Sequence, residues 1–154
     1  MPADDKNKTT IITLSRHKKE GEKTVLVTAY DYPQSVIADK AGVDCILVGD
    51  SAGMTTHGYK TTIPVTMEHM IMHSEAVARG SNNAFLIGDM PYMSYQSSNQ
   101  IAVENAGRFV HEANAEVMKC EGNRHHVPAI EAIVSAGIPV QGHIGITPMR
   151  MPQL

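Results

Sequence analysis

The feature that most constrains this chain is an alternation of two hydrophobic periods. Five short apolar stretches, 24–29, 44–48, 84–87, 116–118 and 139–142, read as strands. The first three (TVLVTA, DCILV and AFLI) are nearly continuous apolar runs. Strands buried on both faces look like this, and they occur mainly in parallel sheets. Helical patterns separate them. Residues 33–41 carry Val36, Ile37 and Ala41 at helical spacing and end at Gly42, read as a C-cap. Residues 66–79 place Met67, Met70, Ile71, Ser74, Val77 and Ala78 on one face and stop at Gly80. Residues 99–115 follow a cap at Ser98 or Asn99, and residues 126–136 end at Gly137. The order β-α-β-α-β-α-β-α-β predicts right-handed βαβ units and a parallel sheet.

An open doubly wound sheet and a (β/α)₈ TIM barrel both satisfy that order, and periodicity does not separate them. Length bears on the choice. A full barrel takes about 250 residues, so five strands in 154 residues amount to about five-eighths of one. On the barrel reading, 1–154 is a single, incomplete barrel domain. Residues 1–10 are polar and are expected to be a disordered lead-in. They lack the apolar stretch of a signal peptide, and Asp4 and Asp5 argue against a transit peptide.

Composition narrows the function classes. Hydrophobic residues make up 42% and charged residues 19%, which excludes a disordered chain. A net charge of −3 offers no basic field to nucleic acid or anionic lipid. No apolar run reaches the ~20 residues of a membrane span. Cys45 and Cys120 each sit inside an apolar stretch. Reduced, buried thiols and a cytoplasmic location are expected, without a disulfide framework.

Polar residues gather at the C-terminal ends of the strands: Thr28-Ala-Tyr-Asp31, Gly49-Asp50-Ser51, Gly88-Asp89, Lys119-Cys-Glu121 and Gly142-His143. In either architecture ligands bind at these ends. Asp50, Asp89 and Glu121 are therefore candidates for a shared divalent metal, because converging carboxylates repel one another until a cation lies between them. An all-oxygen set suits a hard ion, and Mg²⁺ is the natural choice. The alternative is that each carboxylate caps a helix. Lys119 is placed to meet an anionic substrate, or else to pair with a neighbouring acid. Ser51 offers a hydroxyl or its backbone N–H to the same anion, or caps a helix. His143 sits at a strand end with a possible role behind the metal ligands. His69 and His73 are four apart, but with no third ligand in sight they are read as ordinary helix positions.

Several of these segments, in this order, resemble one family. They are Val27-Thr-Ala-Tyr-Asp-Tyr-Pro33, Leu47-Val-Gly-Asp-Ser51, His57-Gly-Tyr-Lys-Thr-Thr-Ile-Pro-Val-Thr66, Gly88-Asp-Met-Pro91, Lys119-Cys-Glu-Gly122 and Gly142-His-Ile-Gly-Ile-Thr-Pro148. The family is ketopantoate hydroxymethyltransferase. The resemblance implies a TIM barrel of the phosphoenolpyruvate/pyruvate type, represented here by about its first five βα units. It implies hydroxymethyl transfer from 5,10-methylenetetrahydrofolate to 3-methyl-2-oxobutanoate, giving 2-dehydropantoate through an enolate stabilised by Mg²⁺. It implies Mg²⁺ on Asp50, Asp89 and Glu121, and the oxo acid on Asp50, Ser51, Asp89 and Lys119. It implies a homo-oligomer, a decamer in the family. The family's general-base glutamate falls beyond Leu154, so no catalytic base is assigned in this chain.

The sequence departs from the family pattern at Cys120 and Asn123 and after Pro148, and the tail from Met149 to Leu154 is read as that of a shortened gene product. Two other readings stay open: another Mg²⁺-dependent oxo-acid lyase of the same superfamily, and a non-catalytic half-barrel that only associates with itself.

Overall fold

A computed structural model describes residues 8–149. Its elements, in order, are α1 (Ile11–Glu20), β1 (Leu26–Thr28), α2 (Tyr32–Lys40), β2 (Cys45–Val48), α3 (Ala52–Thr55), α4 (Met67–Gly80), β3 (Phe85–Asp89), α5 (Asn99–Ala113), β4 (Val117–Glu121), α6 (Val127–Ser135) and β5 (Val140–His143). The strands form one sheet in the order β1-β2-β3-β4-β5, and every neighbouring pair is parallel. A doubly wound sheet reverses its strand order at a switch point. This sheet never does, so it is the run of consecutive βα units found in a TIM barrel. The chain forms a partial barrel with β1 and β5 at its two edges.

Strands β2, β3 and β4 are buried on both faces, and successive residues join two different clusters with period two. Ile46 and Val48 of β2, Leu86 of β3, and Met118 and Cys120 of β4 belong to the larger core, together with Met70, Val77, Ala106, Phe109 and Ile133 from the helices. The intervening residues Cys45, Phe85, Ile87 and Val117 form a second cluster on the opposite, barrel-interior face. Leu14 of α1 packs against that cluster. Gly88 points outward, where an added Cβ would lie 2.6 Å from Phe109 Cδ1. Its lack of a side chain lets the α5 ring sit on β3.

The structure corrects several boundaries. Strand β3 runs on through Asp89, and β4 covers Val117–Glu121 rather than 116–118. The polar ends still pair their backbones, with Asp89 opposite Lys119 and Glu121 opposite His143. Helix α1 was not foreseen. Thr10 caps it through a reciprocal bond with Thr13, and Gly21 ends it at φ +74°. Helix α5 stops two residues earlier than expected, where Asn114 turns left-handed at φ 52°. Residues 1–7 of the expected disordered lead-in, and the tail from Arg150, lie outside the described residues. Lys8, Thr9 and Thr10 make hydrogen bonds. The Lys8 ammonium donates to Ala84 O and Glu116, and Thr9 N–H donates to Asn83 O.

Candidate active site

The alternation that builds the interior cluster also aims the polar strand ends. Residues 85, 87 and 89 share one face of β3, and 117, 119 and 121 share that face of β4. Asp89, Lys119 and Glu121 therefore project on the interior side at the C-terminal rim. Lys119 Nζ donates to both oxygens of Asp89 at 2.7 Å. Asp50, just past β2, joins them: its backbone N–H donates to Asp89 Oδ2 at 3.1 Å. Asp50, Asp89 and Glu121 are all buried, at 5%, 1% and 3% exposure, which is rare for carboxylates unless they are paired.

None of the three caps a helix. Ser51 holds the N-cap position of α3 without a side-chain capping bond, and Asp89 and Glu121 lie within strands. Ser51 Oγ instead sits 2.8 Å from the Tyr30 hydroxyl. The partner of Lys119 is Asp89 rather than Glu121.

The electrostatics show too much negative charge in too little water. Burial pushes the Asp89 carboxyl upward; the Lys119 ammonium opposes this, the Asp50 charge adds to it, and the net shift is up. Burial likewise raises Glu121, opposed by Lys119 and reinforced by Asp50. Asp50 Oδ2 is buried with no hydrogen-bond partner. Glu121 is anchored at several points. Tyr95 OH exchanges hydrogen bonds with the Glu121 backbone at 3.0 Å, and Met149 N–H donates to Oε2 at 3.3 Å. His143 Nδ1 lies 3.7 Å from Glu121 Oε1, too far for a hydrogen bond. A cavity of about 270 Å³ opens beside Glu121, lined by Tyr92, Tyr95, Asn123, His125, His126 and Met149 among others.

Among the described residues, no three His, Cys, Asp or Glu side chains are drawn together as a ready metal cage. The chemistry of the donors nonetheless fits a divalent ion. They are oxygens only, one of them is an orphaned buried carboxylate oxygen, and the carboxylates disfavour one another's ionisation. His69 and His73 do not chelate. His69 Nδ1 accepts from Thr66 N–H, and His73 Nδ1 faces the Tyr30 carbonyl. The sequence reading missed Tyr30 and Tyr95. Tyr30 stood inside a motif already singled out, whereas nothing in the sequence marked Tyr95 as reaching Glu121.

Comparison with known proteins bears on the family and the fold. The profile of the family described as ketopantoate hydroxymethyltransferase matches residues 8–154. A 3-methyl-2-oxobutanoate hydroxymethyltransferase of Moorella thermoacetica is 50% identical over 149 residues, which cover 97% of this chain and 55% of that protein. One of Desulforapulum autotrophicum is 51% identical over 145 residues, 94% of this chain and 55% of that protein. The chain thus spans about half the length of the curated relatives it matches. Among solved structures, 2,3-dimethylmalate lyase, a PEP mutase/isocitrate lyase superfamily member, shares the fold with a TM-score of 0.66 at 17% identity, over 85% of this chain and 51% of the other. Phosphonopyruvate hydrolase in complex with oxalate and Mg²⁺ gives a TM-score of 0.68 at 13% identity, over 84% of this chain and 50% of the other. At such identities the likeness is one of fold alone. No helix among the described residues is long and apolar enough to cross a membrane. The sequence motifs, the consecutive parallel strands and the profile match agree that the chain belongs to the ketopantoate hydroxymethyltransferase family.

Proposed function

We propose that this chain carries the metal- and oxo-acid-holding part of an enzyme that transfers a hydroxymethyl group from 5,10-methylenetetrahydrofolate to 3-methyl-2-oxobutanoate, giving 2-dehydropantoate. The observation that carries the reading is the buried convergence of Asp50, Asp89, Lys119 and Glu121 at the strand ends, with more carboxylate than ammonium. Asp50, Asp89 and Glu121 would hold Mg²⁺. Bound there, the ion supplies Lewis-acid stabilisation of the negative charge that develops on the oxo acid when C3 loses its proton.

The chain's own residues do the rest. Lys119, poised on Asp89, presents a fixed positive charge to the substrate. The Ser51 hydroxyl donates a hydrogen bond to the substrate's carboxylate. His143 stands behind Glu121, its Nδ1 3.7 Å from Oε1. The buried floor excludes water, which strengthens each of these interactions. A carbon–carbon bond then forms between C3 and the folate's one-carbon unit, both bonds from that carbon to folate nitrogens break, a water molecule supplies its hydroxyl, and tetrahydrofolate leaves with its two nitrogens protonated, one proton coming from C3 and one from that water. The base that removes the C3 proton is assigned to no residue of this chain.

The 50% identity to hydroxymethyltransferases favours this reading over an oxo-acid lyase, for which fold likeness is the support. Assembly into a homo-oligomer belongs to the same proposal. Ile144 and Ile146, at 83% and 80% exposure beside β5, offer apolar surface to a partner or to further chain. Buried thiols suit a reducing cytoplasm. Calorimetric titration of 3-methyl-2-oxobutanoate into the chain with Mg²⁺ tests the reading. Binding should need the metal and vanish in Asp89→Ala. Binding that survives that substitution unchanged would remove the site.

A further inference from the structure

A hydrogen-bonded chain runs from α4 into this site, and its function rests on the reading just given. His73 of α4 is buried. Its Nδ1 lies 2.7 Å from the Tyr30 carbonyl oxygen, and its Nε2 lies 2.9 Å from His57 Nε2. A carbonyl only accepts, so His73 Nδ1 carries the proton and donates. In the neutral ring Nε2 is then the acceptor, and His57 Nε2–H donates to it. The Tyr30 N–H donates to Gln34 Oε1 at 2.9 Å, so the peptide groups on both sides of Tyr30 are pinned. The Tyr30 ring also meets the His73 ring edge-on, with centroids 6.4 Å apart.

The pinned residue reaches the site through its side chain. The Tyr30 hydroxyl is 2.8 Å from Ser51 Oγ. A phenol is a better proton donor than an alcohol, so Tyr30 donates and Ser51 accepts. That leaves the Ser51 proton directed elsewhere, and accepting one hydrogen bond strengthens the next one donated. Gly49 leaves room for this arrangement, because a Cβ there would stand 2.8 Å from Ser51 Oγ.

We propose that Tyr30 is a positioning residue of the oxo-acid site: His73 fixes its main chain, and its hydroxyl sets the Ser51 hydroxyl to donate to the substrate carboxylate beside Asp50, Asp89 and Lys119. A histidine that merely fills space between α2 and α4 would have no need of a fixed tautomer or of a route to Ser51.

Two substitutions at one position separate the roles. His73→Asn keeps a donor near the place of Nδ1 and drops the His57 contact. His73→Gln keeps a polar group near the place of Nε2 and drops the bond to Tyr30. The measurement is the Kd of 3-methyl-2-oxobutanoate at saturating Mg²⁺, by calorimetry. Tyr30→Phe and His73→Gln should each weaken binding by at least about tenfold, the value of a hydrogen bond to a charged group. His73→Asn should stay within about threefold of the unaltered chain, and His73→Gln should add nothing in the Tyr30→Phe background. Equal losses from Asn and Gln, additive losses with Tyr30→Phe, or a Tyr30→Phe chain that binds normally would overturn the proposal. If a His73 variant fails to fold, Tyr30→Phe, which only removes a hydroxyl, decides alone. If the unaltered chain binds no oxo acid, the functional reading fails. The relay is then judged by NMR exchange of the Tyr30 hydroxyl proton, which should be protected in the unaltered chain and in His73→Asn but not in His73→Gln. Equal exchange in all three would overturn it.

Discussion

Replacing Asp39 with alanine should destabilise the chain by about 3 kcal/mol, for reasons that lie in one loop. The Asp39 carboxylate on α2 accepts from Asn83 N–H at 2.8 Å, Ala84 N–H at 2.9 Å, Asn83 Nδ2 at 3.0 Å and Ser81 Oγ at 3.3 Å. It thereby pins the turn that leads from α4 into β3, the strand that ends in Asp89. Ala84 N–H is buried, and leaving it unpaired costs about 1–3 kcal/mol. The half-buried groups of Asn83 and Ser81 recover part of their loss from water, which brings the total to about 3 kcal/mol. At an m-value of about 2 kcal/mol/M the urea midpoint should fall by about 1.5 M. The pH dependence is a second check. Burial pushes the Asp39 pKa up, but the backbone N–H groups of Ala84, Asn83 and Asn82 and the Asn83 amide together pull it below the ordinary value. The folded state therefore holds the charged form more tightly than the unfolded state does. This stabilisation is complete above the unfolded pKa of about 3.9 and is lost as pH falls through the lower folded value. Urea titrations of both chains followed by circular dichroism should show a constant gap from pH 7 to 5 that narrows below about 4. A gap under about 0.5 kcal/mol at neutral pH, or one that widens in acid, would refute the argument.

Three further outcomes are expected. Gly88→Ala forces a Cβ against Phe109 and should cost about 1–3 kcal/mol; Phe109→Leu in the same chain should recover part of it, and strict additivity in that cycle would show that the two residues do not clash. Lys119→Met strips both 2.7 Å bonds from buried Asp89 and should cost about 3–5 kcal/mol in urea denaturation, most of it recovered by adding Asp89→Leu; a loss the second change does not mend would place the role of Lys119 elsewhere. Burial pushes the Cys45 thiol up to about 11 and the Cys120 thiol up to about 12, so a thiol reagent at pH 8 should label neither in the folded chain and both in urea; rapid labelling of the folded chain would contradict their burial.

The sequence carried the fold because burial on both strand faces left unbroken apolar runs at 44–48 and 84–87, which match β2 and the start of β3. The same logic hid the strand ends. Asp89, Lys119 and Glu121 are polar, so β3 and β4 seemed to stop short of them, yet their backbones pair across the sheet. Helix α1 was missed for a related reason: its charged run Arg16-His-Lys-Lys19 masks a face of which Leu14 is the packed residue. Barrel and open sheet became distinguishable only once the strand order was known, since that order depends on contacts between residues far apart in the chain. Of the candidate site, the carboxylates and Lys119 were legible because strand-end placement follows from topology. The bidentate pairing of Lys119 with Asp89 was not, since it depends on register. Nor was the path from His73 to Ser51, which joins residues from α4, the end of β1 and the loop after β2.

The most direct test of the central claim is a thermal melt of this chain alone, with Mg²⁺ alone, with 3-methyl-2-oxobutanoate alone, and with both. A ligand that binds only the folded state raises the midpoint by mass action. The account predicts a cooperative melt whose midpoint rises clearly only when metal and oxo acid are present together. A cooperative melt that neither addition nor their combination moves would mean that the strand ends of this chain do not form an oxo-acid site.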